Sequence, residues 1–248
     1  AGGAMRGSWE RHVAGVEQEK RVALGSSEFQ TLVEMADAKL EGFSPLSLAN
    51  LSWALGRLGH NPGPGMLGRM AGECRKKMGS AQVAELTMMV WGFAALGASP
   101  GNALVSTLWR SAVRSLDTLD AQALSNILWA SAVLRHDPGR ELMEAWMEAM
   151  PRVLKYSNAF DMGNFFWGLA SLGHKPGEEL TQLLLDRMET MMETASATHI
   201  TAGELVNVLW ALAVLDVRYE GVGGTVAILG RTIGERLTEG WDGVDDGQ

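Results

Sequence analysis

A tryptophan returns along this chain at a fixed step. Trp53, Trp91, Trp129 and Trp167 stand 38 residues apart, and Trp210 follows 43 residues after the last of them. Two further columns keep the register. Leu58, Leu96, Leu134, Leu172 and Leu215 each lie five residues after a Trp, and Pro62, Pro100, Pro138 and Pro176 lie nine after, each followed by Gly. Self-similarity at a period between about 20 and 50 residues is the signature of a stacked array, in which one supersecondary unit recurs and buries its apolar face only against its neighbours.

Each unit reads as two helices. The Trp-bearing helix opens at Ser44, Asp120, Asn158 or Thr201, whose side-chain oxygens can accept from the first free amides. It stops about four turns later at a Gly–x–x–Pro–Gly break, where Gly admits a left-handed cap and Pro prevents continuation. Small residues follow the Trp at one and three positions on, as in Ala54 and Gly56 or Gly92 and Ala94, leaving room for a neighbouring helix. The companion helix has amphipathic spacing, for example Leu104, Leu108, Ala112 and Leu180, Leu184, Met188. No segment alternates like a strand. The fold class expected is all-α: an α-α solenoid of about five two-helix repeats of 38 residues over 27–237, with an N-terminal extension or cap at 1–26 and an acidic flexible tail at 238–248.

Three finer expectations follow. The repeated Trp is read as core between two layers, so that Trp→Ala costs roughly 3–5 kcal/mol, and Trp109 and Trp146 on companion helices are read as core too. The five extra residues before Trp210, within METMMETASATHITAGE, are expected to lengthen a companion helix or its turn. The last amphipathic stretch, VAILGRTIGERL, is expected to close the array.

Composition narrows the function. The formal charge is −8 over 248 residues, which counsels against a binder driven by bulk electrostatics but leaves room for a local basic stripe. The single cysteine, Cys74, gives no disulfide framework and has no Cys or His at ligand spacing. Apolar runs break well before eighteen residues, so no membrane span is expected. With no Gly-rich phosphate loop, nucleophile elbow or paired-His motif, no catalysis, cofactor, metal or small-molecule substrate is expected of this segment.

The copies NLSWALGRLGHNPG, NILWASAVLRHDPG and NFFWGLASLGHKPG, starting at Asn50, Asn126 and Asn164, share Asn–x–x–Trp, a following Leu and a terminal Pro–Gly. This pattern resembles the octotricopeptide repeat family and the related helical repeats of FAST-kinase-like organellar RNA-processing proteins, over about residues 27–237. The resemblance implies a soluble protein of the mitochondrion or chloroplast. It also implies binding of single-stranded or ribosomal RNA, in processing, stability, translation or ribosome assembly.

Two columns are candidates for contact with a ligand. Asn50, Asn126, Asn164 and Asn207 stand three residues before the Trp, with Met88 in the second copy, and Ser47 and Arg57 share their sector. Such a ladder can offer an amide per repeat to base edges or to a peptide backbone, or each Asn can bond a nearby helix end. Lys76, Arg114 and Arg152, with Lys77, Arg110 and Lys155 close by, are placed to track phosphates or simply to suit helix carboxyl ends. His60, His136 and His174 are read as turn residues. The alternative to RNA binding is an armadillo-like protein-binding scaffold, or an architectural subunit of an organellar ribonucleoprotein such as a mitochondrial ribosome.

Overall fold

The computed structural model describes residues 18, 21–193, 200–218 and 222–238. Among these, all regular structure is helical. Five Trp-bearing helices, α2 (Pro45–Leu58), α4 (Val83–Ala95), α6 (Ala121–Val133), α8 (Ala159–Leu172) and α10 (Ala202–Val214), alternate with companions. The companions are α1 (Ser27–Lys39), α3 (Pro64–Lys77), α5 (Asn102–Val113), α7 (Arg140–Leu154), α9 (Glu178–Glu193) and α11 (Val222–Thr238). Each Trp-bearing helix packs on the next, and each companion on the next, giving two layers of an α-α solenoid.

Local chemistry sets the helix ends. Ser44, Asp120, Asn158 and Thr201 each accept from the backbone amide three residues on, at 3.1, 2.8, 2.9 and 3.3 Å. At the other end Gly59, Gly97 and Gly173 take left-handed φ of 63°, 64° and 74°. The amide after each then reaches back to the last turn, as in His60 N to Leu55 O at 3.0 Å. Gly63, Gly101 and Gly139, which follow the prolines, have φ near 90°. Their amides are bonded by the side chains of Asn61, Ser99 and Asp137. In the fourth copy Lys175 offers no such acceptor, and Gly177 is absent from the positive-φ residues.

The small residues after the Trp do what their size allows. A Cβ on Gly92 would stand 2.2 Å from the Ser52 carbonyl oxygen, and one on Gly168 2.6 Å from Leu128 Cγ. The Trp-bearing helices thus approach almost backbone to backbone, far closer than the companions do, and the rod curves with the Trp-bearing layer inside. Between the layers lie Leu48, Leu86, Leu124, Met162 and Leu205, with Trp109 and Trp146 from the companions, all fully buried. Trp109 Nε1 donates to Ser131 Oγ at 2.8 Å, and Trp146 meets Phe165 edge-on.

One expectation needs correction. The repeated Trp does not lie between the layers: only Trp91 is buried, Trp53, Trp129 and Trp167 are half-buried, and Trp210 is exposed. The last amphipathic stretch forms α11, which takes its place beside α9 and α10 in the companion layer, while Val206, Trp210 and Val214 of α10 are exposed. The long spacing before Trp210 is met in part by α9, which has 16 residues against 12 to 15 in α3, α5 and α7. The rest of it, residues 194–199, lies outside the described residues. Most of the N-terminal extension, and the acidic tail from 239 on, lie outside them as well.

Candidate functional site

The direction of the Trp follows from the leucines. Side chains advance about 100° per residue on a helix. The buried column five before the Trp and the column two after it, such as Leu48 and Leu55, therefore both point roughly opposite to the indole. These face the companion layer, so the indole faces away from it, toward the open inner surface. The column seven before the Trp shares that direction, and its members Leu46, Ala84, Gln122, Phe160 and Gly203 are all exposed. So does the column four after it, where Arg57, Ser171 and Val214 are exposed and Ala95 and Val133 half-buried.

The indoles form a ladder along this surface. Ring centroids of Trp53 and Trp91 are 4.3 Å apart at 39°, and those of Trp91 and Trp129 are 5.8 Å apart at 35°. Trp167 borders an open cavity of about 670 Å³ lined also by Val133, Arg135, Asp137 and Ser171. Charge is sparse here. Across all five Trp-bearing helices the only ionisable side chains are Arg57, Glu85, Asp161 and Glu204. Asp161 is buried, where its carboxylate accepts from Ser125 Oγ at 2.9 Å and from the Asn158 amide. Burial pushes its pKa up against those two bonds.

The asparagine column is not an open ladder. Sixty degrees from the Trp, it faces the preceding Trp-bearing helix, so Asn126 and Asn164 are buried, Asn207 is half-buried and Asn50, with no such helix before it among the described residues, is exposed. Asn164 Nδ2 is buried without a hydrogen-bond partner. Ser47 is half-buried, its hydroxyl 3.0 Å from that of the capping Ser44. Arg57 is exposed on the open surface.

The basic column divides. Lys77 donates to the carbonyls of Glu41 and Phe43 at 2.6 and 2.7 Å, and Arg152 to those of Leu116 and Leu119. Both cations fasten a companion helix to the turn of the repeat before it. Lys76 pairs with Glu73 at 2.6 Å. The ammonium groups of Lys76 and Lys77 hold the Glu73 carboxyl below its usual range. Arg110 and Arg114 are exposed and donate to the neutral hydroxyls of Thr107 and Ser111, while Lys155 lies over the exposed Tyr156 ring, 4.7 Å from its centroid. Lys76, Arg110, Arg114 and Lys155 sit at or near the carboxyl ends of companions, close to where the next Trp-bearing helix begins.

The histidines close the turns and touch neighbouring elements. His60 meets Phe29 edge-on, His136 Nε2 is 3.3 Å from Ser106 Oγ, and His174 Nε2 is 2.9 Å from Asp137 Oδ1. Burial lowers the pKa of His136. Among the described residues no group of His, Cys, Asp and Glu is placed to hold a metal ion, and burial pushes the Cys74 thiol up to about 12. No described helix is long and apolar enough to cross a membrane.

A family model, the Tbc2 translation factor N-terminal domain, matches residues 1–174. The chain belongs to this family. No curated protein matches it. The Tbc2 N-terminal match takes in the first four tryptophans of the ladder, Trp53 to Trp167, and ends at the turn after α8. The fifth repeat continues the same two-layer packing beyond it.

Sequence reasoning had the columns but not their directions. The signal that places the Trp was present: the helix already had an aliphatic side, so a large residue opposite it had to face away from the companion layer. The exposed Leu46 and Phe160, which flank the ladder, were missed for the same reason.

Proposed function

We propose that this chain is an RNA-binding helical-repeat protein of the octotricopeptide kind, acting in translation within a mitochondrion or chloroplast and doing no catalysis itself. The observation that carries this reading is the indole ladder on the inner surface of a Tbc2-family domain. Stacking against aromatic rings holds single-stranded bases regardless of sequence, at about 1–3 kcal/mol per base. Exposed Asn50 and half-buried Asn207 flank the ladder and supply amides for base edges. Arg57, Arg110 and Arg114, which pair with no carboxylate among the described residues, are the cations best placed for phosphates. The net charge of −8 does not oppose this, because the Trp-bearing layer carries so little of it. The scaffold reading draws on that same neutrality, since an apolar groove also suits an extended protein segment.

Titration of labelled single-stranded RNA at several salt concentrations tests the proposal. With three free arginines meeting phosphates, log K falls against log salt with a slope of about −2. Trp129→Ala weakens binding about tenfold or more. Absence of binding at low salt, or a Trp129→Ala variant that binds as tightly as the parent, overturns it.

A further inference from the structure

The inner surface changes character between the third and fourth repeats. Trp53, Trp91 and Trp129 lean on one another in turn, whereas Trp167 meets no other ring among the described residues. It borders instead the open cavity of about 670 Å³, with Val133 at the end of α6 and Ser171 one turn along α8. That volume lies within the roughly 300–1,000 Å³ of pockets that hold small ligands. The turn after α6 adds two charged side chains to the wall, Arg135 and Asp137.

No other turn offers this pair. Six residues after the Trp the other copies have Gly59, Gly97, Gly173 and Asp216, and eight after it they have Asn61, Ser99, Lys175 and Arg218. In the fifth copy the acid and the base pair with each other. In the third they do not. The Arg135 side chain bonds to nothing among the described residues, although its backbone is held at a left-handed φ of 52°. Strain of this kind gathers at ligand sites. Asp137 Oδ1 accepts from the Gly139 amide at 2.8 Å and from His174 Nε2 at 2.9 Å, which fixes the carboxylate. Its Oδ2 accepts nothing among the described residues. Burial raises the Asp137 carboxyl, but the Gly139 amide and the His174 ring outweigh it and hold the group below its usual range.

An ionised carboxylate only accepts and a guanidinium only donates. Together with an open indole they complement a flat ring whose edge carries a donor beside an acceptor. Cytosine, adenine and guanine have such an edge, each with an exocyclic amino group. Uracil has a carbonyl at either end of its edge and would turn one of them toward Asp137. We propose that this cavity is a base-selective subsite, resting on the RNA-binding reading above, that takes a single-stranded nucleotide with an amino-bearing base and disfavours uridine. The base stacks on Trp167 against Val133. Its amino group donates to Asp137 Oδ2, and Arg135 donates to the neighbouring ring nitrogen or carbonyl.

Cytidine and uridine oligomers of equal length carry the same charge and differ at that edge, so their affinities for the whole chain isolate the contact. The parent binds the cytidine oligomer about tenfold more tightly, as one hydrogen bond to a charged group allows. Asp137→Asn removes the preference, weakening cytidine without weakening uridine, because an amide can also donate to the uracil carbonyl. The turn survives this change, since Asn61 caps Gly63 in the same way in the first copy, at 2.9 Å. Arg135→Gly weakens both oligomers while the urea midpoint rises, a pair of opposite shifts that a purely structural role does not produce. Trp167→Ala weakens both about tenfold or more, and far-UV circular dichroism checks that all three variants fold. Equal binding of the two oligomers by the parent overturns this inference and leaves the RNA-binding reading standing. So does a cytidine preference that persists in folded Asp137→Asn, or an Arg135→Gly variant that binds as tightly as the parent. Binding of neither oligomer at low salt overturns both and favours the protein-binding scaffold.

Discussion

Arg135 and Asp216 hold, at φ of 52° and 49°, the left-handed position that glycine holds in the other three copies. A side chain with a Cβ is strained there, and Arg has none of the local bonding that lets Asp tolerate it. Arg135→Gly is therefore expected to stabilise the protein by about 0.5–1 kcal/mol. A higher urea midpoint confirms this, and an unchanged or lower one contradicts it. The contrast with Ser44, Asp120, Asn158 and Thr201 shows what is legible at this scale. Their capping bonds reach only three residues along the chain, so they can be read from the letters alone. The asparagine column could not be read that way. Whether Asn126 is open or buried depends on α4, a helix more than thirty residues away along the chain that packs against α6.

Helices α5 and α6 each carry a Trp, and the two differ in kind. Trp109 is fully buried between the layers and bonded to Ser131, whereas Trp129 is half-buried on the inner surface. Trp109→Ala is expected to cost about 3–5 kcal/mol, and Trp129→Ala clearly less, since part of its surface already meets water. Denaturation midpoints of the two variants rank them, and equal losses would put both rings in the same environment. The period of the sequence marked every one of the Trp-bearing helices and their turns, because period and punctuation are properties of a single element. Burial of a repeated residue is a property of two elements. A large aromatic at a fixed step is as consistent with a ladder on one surface as with a wedge between layers, and the aliphatic columns on the far side of the helix decide between them.

The molecule as a whole is a curved two-layer array with an aromatic inner surface and a mixed outer layer. The curvature follows from small residues on the Trp-bearing helices, and the inner surface from the direction of the indoles. Fold class was thus fully legible in the repeat, while the binding surface waited on the direction of one column. Hydroxyl-radical footprinting read residue by residue by mass spectrometry tests that direction. Trp210 is expected to oxidise fastest, Trp53, Trp129 and Trp167 at intermediate rates, and Trp109 and Trp146 hardly at all, with added single-stranded RNA protecting the first four. Rapid oxidation of Trp109 and Trp146 beside protected Trp53, Trp129 and Trp167 in the free protein would place the repeated indoles back between the layers and remove the ladder.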